Sequence, residues 1–405
     1  MRGWILAKVT NQMNRTISAV VSIMLFSLLC SGCVGPPSLR NTVLNYDMIT
    51  NQIEQELMLL NIARAHRMVA PHFTVTGSIA ATFDFTTTAG ASGRFAETPG
   101  FDFLDLRWGA SASENPTFQI IPISGKEFTT RLVNPLPEEA FASLVFQGID
   151  IQLGMRLMGA GIEVQDLDGH FQRFIGNNPQ SPEAYTEFRR MAMHLSGLWK
   201  SQHLYIRKLP FDEVVIDGLK QQPLGRDLRE GKDLKWRLKS DGTWNVTRRK
   251  IGRTLISNYD TLKLSNRERY QLNELARKNA GNYVMVDIRS GYPGGDFPLF
   301  GAIKLRSYFN ILVFVGSGID RIEEFDVQKD PRTPGAITLN PRKTLAINVT
   351  EQPPLPGVPK ALFMGKYYSL GDSYWDRRCF IVLSLLFQIT VTDVSQVGIP
   401  ITISK

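Results

Sequence analysis

The chain has 405 residues, of which 43% are hydrophobic and 21% charged, and a formal net charge of +8. That length gives two or three domains as a prior, and the hydrophobic content is that of an ordinary globular chain with a sizeable core. Three cysteines are too few for a disulfide framework, so stability has to come from packing.

Arg2, Lys8 and Arg15 precede an uncharged apolar run from Ile17 to Leu29. The run is too short to span a bilayer as a helix, which takes about 20 apolar residues. Ser31 and Gly32 then stand before Cys33. A basic start, a short apolar run and small residues at a cleavage point mark a secretory signal. Their order resembles the lipobox of bacterial lipoproteins, and the resemblance implies that Cys33 is acylated and becomes the new N-terminus. The usual Leu three places before the cysteine is here Cys30, with Leu29 one place further back. Met13 to Cys33 is itself a complete signal, so Met13 is a second possible start. Residue 34 is Val and not Asp. By resemblance to lipoprotein sorting in Gram-negative bacteria, this implies an outer-membrane, periplasm-facing anchor. The +8 includes Arg2, Lys8 and Arg15, so the mature chain carries +5. Export argues against nucleic acid, and anionic lipid or polysaccharide surfaces are the expected attractions. Cys379 is the one thiol left, and beside the apolar run Phe380–Phe387 it is expected to be a buried small hydrophobe.

Val34 to Ser38 reads as a tether, followed by residues 39–180 as a helix, hairpin and helical domain and 181–405 as an α+β domain. Leu39, Val43, Tyr46, Ile53, Leu57 and Leu60 recur at alternating steps of three and four, broken at Thr50, and predict an amphipathic helix over 39–68. Arg64, His66 and Arg67 in its last turn suit the helix dipole.

Strict alternation follows. Phe73, Val75, Ile79, Phe83 and Phe85 interleave with polar residues, and after a Gly/Ala/Ser-rich stretch Leu104, Leu106 and Trp108 do so again. A long β-hairpin is expected. A strand crossing an outer membrane needs about 9–11 residues with one apolar face. The hairpin is therefore either a curved cover over a helical core or one protomer's share of a common transmembrane barrel. The second reading requires a ring of subunits, because a lone hairpin leaves its edges unsatisfied in lipid.

Thr117–Ile123 reads as a strand, Ser124 to Glu127 as a capping box opening a helix, and Glu138 and Ile149 as the starts of two more helices. The blocks Glu56–Ala65, His72–Val75, Ser113–Thr117 and Gly125–Phe128, with Trp375–Arg378, resemble an uncharacterised family of proteobacterial envelope lipoproteins. That resemblance implies the compartment and no chemistry.

Ser181-Pro182-Glu183 opens a further helix, in which His194 lies next to the apolar face. Leu234, Trp236 and Leu238, the turn Asp241-Gly242, then Trp244 and Val246 form a second hairpin. With Lys235, Arg237, Arg248 and Arg249 its tryptophans make a candidate patch for lipid headgroups, glycan or an acidic partner. The bland alternative is an edge hairpin whose cations block stray pairing. Ser265 to Glu268 is another capping box. Asp326–Pro359 reads as a long loop with one strand-like island, and Phe380–Phe387 as a core element.

No metal-ligand spacing links the five histidines, and neither a Gly-x-Ser-x-Gly elbow nor a zincin motif is present. Gly125-Lys126 lacks the upstream Gly of a phosphate loop. No catalytic residue, metal or cofactor is expected. The sequence thus predicts a lipid-anchored α+β protein acting as a structural or interaction subunit of an envelope assembly. The alternative is an oligomeric pore or secretion component using residues 73–112, and an envelope hydrolase ranks behind both.

Overall fold

The three-and-four spacing from Leu39 produces the expected helix, α1. The computed structural model describes residues 35–94, 103–222, 224–391 and 401–404, with the backbone alone for 35–39, 41–42, 76–120, 228, 230 and 401–404, and runs α1 from Gly35 to His66. Residues expected to be tether are thus helical from Gly35 onward, while the signal and Cys33 lie outside the described residues. The helix ends where Met68 turns left-handed at φ 60, three residues ahead of Pro71.

The fold class is α+β, as expected. The chain forms two units: residues 1–56, 75–120 and 400–405, and residues 57–74 with 121–399. The boundary expected at 180 does not exist, because strands on either side of it share one sheet.

The smaller unit holds most of β1 (Phe73–Arg94) and β2 (Phe103–Ile123), joined with β13 (Ile401–Ser404) in the order β1-β2-β13. A chain leaving Arg94 and entering at Phe103 reaches about 30 Å at most. Each strand is about 70 Å long, so β1 and β2 run antiparallel as a hairpin. The strand expected at 117–123 is the end of β2.

The larger unit is built on a sheet ordered β4-β3-β9-β8-β7-β5. Its strands are β3 (Gly159–Gln165), β4 (Phe171–Gly176), β5 (Tyr205–Leu219), β7 (Trp244–Ser257), β8 (Tyr283–Ile288) and β9 (Leu299–Leu305), with β6 (Leu234–Leu238) added on β7. Ile162 and Val284 flank Ile303 on either side, so buried aliphatics stack along the central strands. Strand β5 is continuous, with irregular register absorbing Pro210.

Helices α2 (Lys126–Val133), α3 (Glu138–Phe146), α4 (Ile151–Met158), α5 (Pro182–Lys200), α6 (Gly225–Glu230), α7 (Asn266–Lys278), α8 (Tyr308–Ser317) and α9 (Tyr374–Thr390) complete the unit, with β10 (Ile347–Thr350), β11 (Lys360–Phe363) and β12 (Lys366–Leu370) forming a separate small sheet. The capping box at α7 forms: Ser265 Oγ accepts from Glu268 N, and Glu268 Oε2 accepts from Ser265 N. The one expected at α2 does not, because the cap residue is Gly125, at φ 107, which has no side chain to offer. The run 380–387 is the middle of α9, and Cys379 is fully buried there, its thiol pushed up by burial.

The segment after α8 is not a surface loop. Although it lacks regular structure until Ile347, it contributes buried Val327, Thr333, Thr344 and Leu345 to the core. Arg156 on α4 donates to the carbonyls of Pro341 and Arg342, at 2.9 and 3.1 Å. Arg189 on α5 reaches the same two carbonyls and Asn340 Oδ1.

Candidate functional site

Strand length is the first feature that singles out the hairpin. β1 has 22 residues and β2 has 21, where about 5–6 is usual for a globular protein. In a strand, alternate residues share a face. Val75, Ile79, Phe83 and Phe85 therefore lie on one face of β1, and Leu104, Leu106 and Trp108 on one face of β2. The pairing of β13 extends this pattern. Ile401 sits opposite Ile120 and Ile403 opposite Phe118, on the face that carries Trp108, while Thr402 and Ser404 pair with Gln119 and Thr117. Among the described residues this sheet remains open, with three strands of which one has four residues.

Phe73 leaves the membrane set. It is 6% exposed and packs in the larger unit against Phe128, Tyr308 and Phe387, with ring centroids at 5.4, 6.2 and 5.3 Å. An apolar side chain at the base of a long strand has a core to enter, and alternation alone does not separate it from residues further along.

The second hairpin forms, with Trp236 opposite Val246 and Leu238 opposite Trp244. Its register splits the proposed patch between two faces. Trp236, Trp244 and Arg248 share one, and Lys235, Arg237 and Arg249 the other. Both tryptophans are half-buried. Lys235 lies 3.5 Å from Asp212, and Arg248 lies 2.8 Å from Asp233. Arg237 and Arg249, both exposed, have no ion-pair partner among the described residues. The cationic face is thus these two arginines with Lys235 beside them, and the tryptophans are not on it.

The basic end of α1 is structural. His66 is buried, with Nε2 2.7 Å from Asp320 Oδ1 and Nδ1 3.0 Å from the Tyr368 hydroxyl. His194 is also buried; its Nε2 donates to the Gly294 carbonyl at 3.0 Å, and burial lowers its pKa.

His170, which sequence spacing left aside, does meet two carboxylates. Its ring and the carboxylates of Asp166 and Asp168 bring one ligand atom each within 4.8 Å of one another. Asp166 is already occupied, however: its Oδ1 accepts from the backbone N–H groups of Asp168 and His170, at 3.0 and 2.8 Å, and these bonds hold its pKa down. This is a satisfied exposed turn.

A carboxylate in the core of the larger unit is likewise satisfied. Glu324 accepts from Tyr185 Oη at 2.7 Å, from Thr344 Oγ1 at 2.6 Å and from the Thr344 amide, and faces Arg156. Sequence reasoning missed this centre because its members lie on four separate segments.

Among the described residues no helix is long and apolar enough to cross a membrane. No family model, no curated protein and no solved structure matches the chain.

Proposed function

We propose that the chain is a lipid-anchored structural subunit of an outer-membrane assembly, held by acylated Cys33 and facing the periplasm. The sequence order of the export signal supports the anchor, and the hairpin supports the assembly. Of the two forms such a subunit can take, a scaffold or a share in a pore, the strand lengths favour the pore.

Two strands of 22 and 21 residues far exceed the 9–11 that cross an outer membrane, whose apolar band is about 25 Å tall. The excess carries the hairpin out of the bilayer at one side. A two-stranded ribbon is marginal in water, and its open edges forbid insertion alone. Both difficulties vanish when copies pair edge to edge. The smallest bacterial barrels have about eight strands, so a ring giving two strands per copy takes about four copies or more.

The test is the mass of the purified acylated protein in mild detergent. A ring is expected for the full chain, and a smaller, folded species after deletion of residues 86–102. A monomer for the full chain would remove the pore and leave the scaffold. Mass spectrometry showing Cys33 without fatty acid would remove the anchor.

A further inference from the structure

Between Leu234 and Ile251 the chain carries six cations and one acid, Asp241. That surplus of five equals the charge of the whole mature chain, so β6, its turn and β7 hold the positive character of the protein. Four of the six are answered nearby. Lys235 has Asp212, Lys239 has Asp217, Arg248 has Asp233 and Lys250 has Glu213. The two left over are Arg237 and Arg249, both exposed and on the same face of the sheet.

The register fixes what else that face carries. Arg237 stands opposite Asn245 and Lys235 opposite Thr247, while Thr247, Arg249 and Ile251 stand opposite Val214, Asp212 and Pro210 on β5. Asp212 faces Arg249 in this pairing, yet it is Lys235 that approaches its carboxylate, at 3.5 Å. Val214 and Ile251 are more than half exposed. None of the residues on this stretch of face is buried, so no other element covers it.

From Asn245 to Ile251 the face runs about 20 Å along β7, and three strands make it about 10 Å wide. A sheet face of that kind encloses nothing, so its partner is itself a surface. Cations beside exposed aliphatics suit an anionic bilayer, whose phosphates attract the first and whose headgroup boundary takes in the second. A glycan would call for aromatic rings to stack on, and Trp236 and Trp244 are on the other face. Each cation near an anionic bilayer is worth about fivefold in binding. Two of them hold a free protein weakly, but they suffice to orient one already tethered, because the tether keeps the face at high local concentration.

We propose that this face docks on the anionic surface of the membrane, with Arg237 and Arg249 on lipid phosphates and Val214 and Ile251 between the headgroups. The larger unit then lies against the bilayer instead of hanging free from its anchor. The inference rests on the reading of Cys33 as that anchor.

The full-length acylated protein in vesicles tests this, with a polarity-sensitive dye on Thr247→Cys at the centre of the face. Cys379 is buried and Cys33 is acylated, so the dye has one target. Its emission should shift to the blue in vesicles that mix phosphatidylglycerol with phosphatidylcholine, and stay put in phosphatidylcholine alone. Arg237→Glu combined with Arg249→Glu should lower the ratio of docked to free face about tenfold or more. High salt should act the same way, since it screens exposed charge. The salt and lipid arms leave the chain unaltered, so a folding defect cannot imitate them. Equal shifts in both vesicles, or a shift that survives charge reversal, would overturn the docking. No shift with vesicles, but protection of the residue 247 thiol from alkylation by an acidic polysaccharide, would give the face to a glycan instead. Protein that never joins the vesicles would overturn the anchor as well, whereas vesicle-bound protein with an unshifted dye overturns the docking alone.

Discussion

The guanidinium of Arg156 and the carboxylate of Glu324 face each other at 3.5 Å with almost no solvent reaching either. Arg156 also donates to Thr344 Oγ1 and lies 5.2 Å from the centre of the Trp375 ring. Removing one partner leaves the other charge buried and alone, which costs about 3–5 kcal/mol. Glu324→Gln should lower stability by that order in urea titration, and Arg156→Met similarly. The double variant should cost less than the sum, because the stranded charge is then gone.

The same pair gives a pH dependence. Burial pushes the Glu324 pKa up, but Arg156 and the bonds from Thr344 and Tyr185 outweigh it and leave it below the ordinary 4.5. A depressed carboxylate stabilises the fold fully above its unfolded value, and the contribution fades as pH falls through the folded one. Acid titration of stability below 4.5 should therefore be shallower in Glu324→Gln than in the parent. Glu138, raised mainly by burial despite Arg253, has the opposite slope and is common to both proteins.

Gly316 lets α8 approach α1. A methyl group there would stand 2.6 Å from the His66 nitrogen and 3.0 Å from the Ala65 carbonyl carbon. Alanine is the better helix former, but the clash is with backbone and wins. Gly316→Ala should cost about 1–3 kcal/mol, read as a lower melting temperature, whereas Gly318→Ala, whose methyl would meet nothing closer than 3.4 Å, should be near neutral.

On the hairpin, Trp108→Arg places a charge on the apolar face. At mid-bilayer that costs about 2–4 kcal/mol, and the ring fraction in detergent should fall. Ser111→Arg, on the alternate face, should leave the ring intact. Equal effects would sink the assignment of faces.

Arg237→Glu combined with Arg249→Glu should reduce co-sedimentation with phosphatidylglycerol vesicles, and added salt should erase the difference. Each cation near such a surface contributes about 1 kcal/mol. Lys235 and Arg248 already have Asp212 and Asp233, so reversing those two should matter less.

Local signals carried far in this sequence. Ser265 with Glu268, Asp241 with Gly242, and the alternation after Val75 each specify backbone within a few residues, and each formed as read. What stayed hidden depends on distant pairing. Nothing near Gly159 announces that β3 meets β9, some 140 residues on, and the Glu324 centre joins residues from four segments. The run Tyr308–Val315, apolar but for Asn310, carries no period that tells helix from strand. Ser307 Oγ, accepting from Asn310 N at 3.1 Å, caps it as a helix.

Arginine side chains gripping the carbonyls of Pro341 and Arg342 give the stretch between α8 and β10 the standing of an interior wall. Polar, proline-rich sequence of this kind ordinarily invites an epitope tag or a protease nick. Here a cut or insertion at 340–344 would free two buried guanidinium groups at once. The lesion would spread to α4 and α5, so tags belong elsewhere.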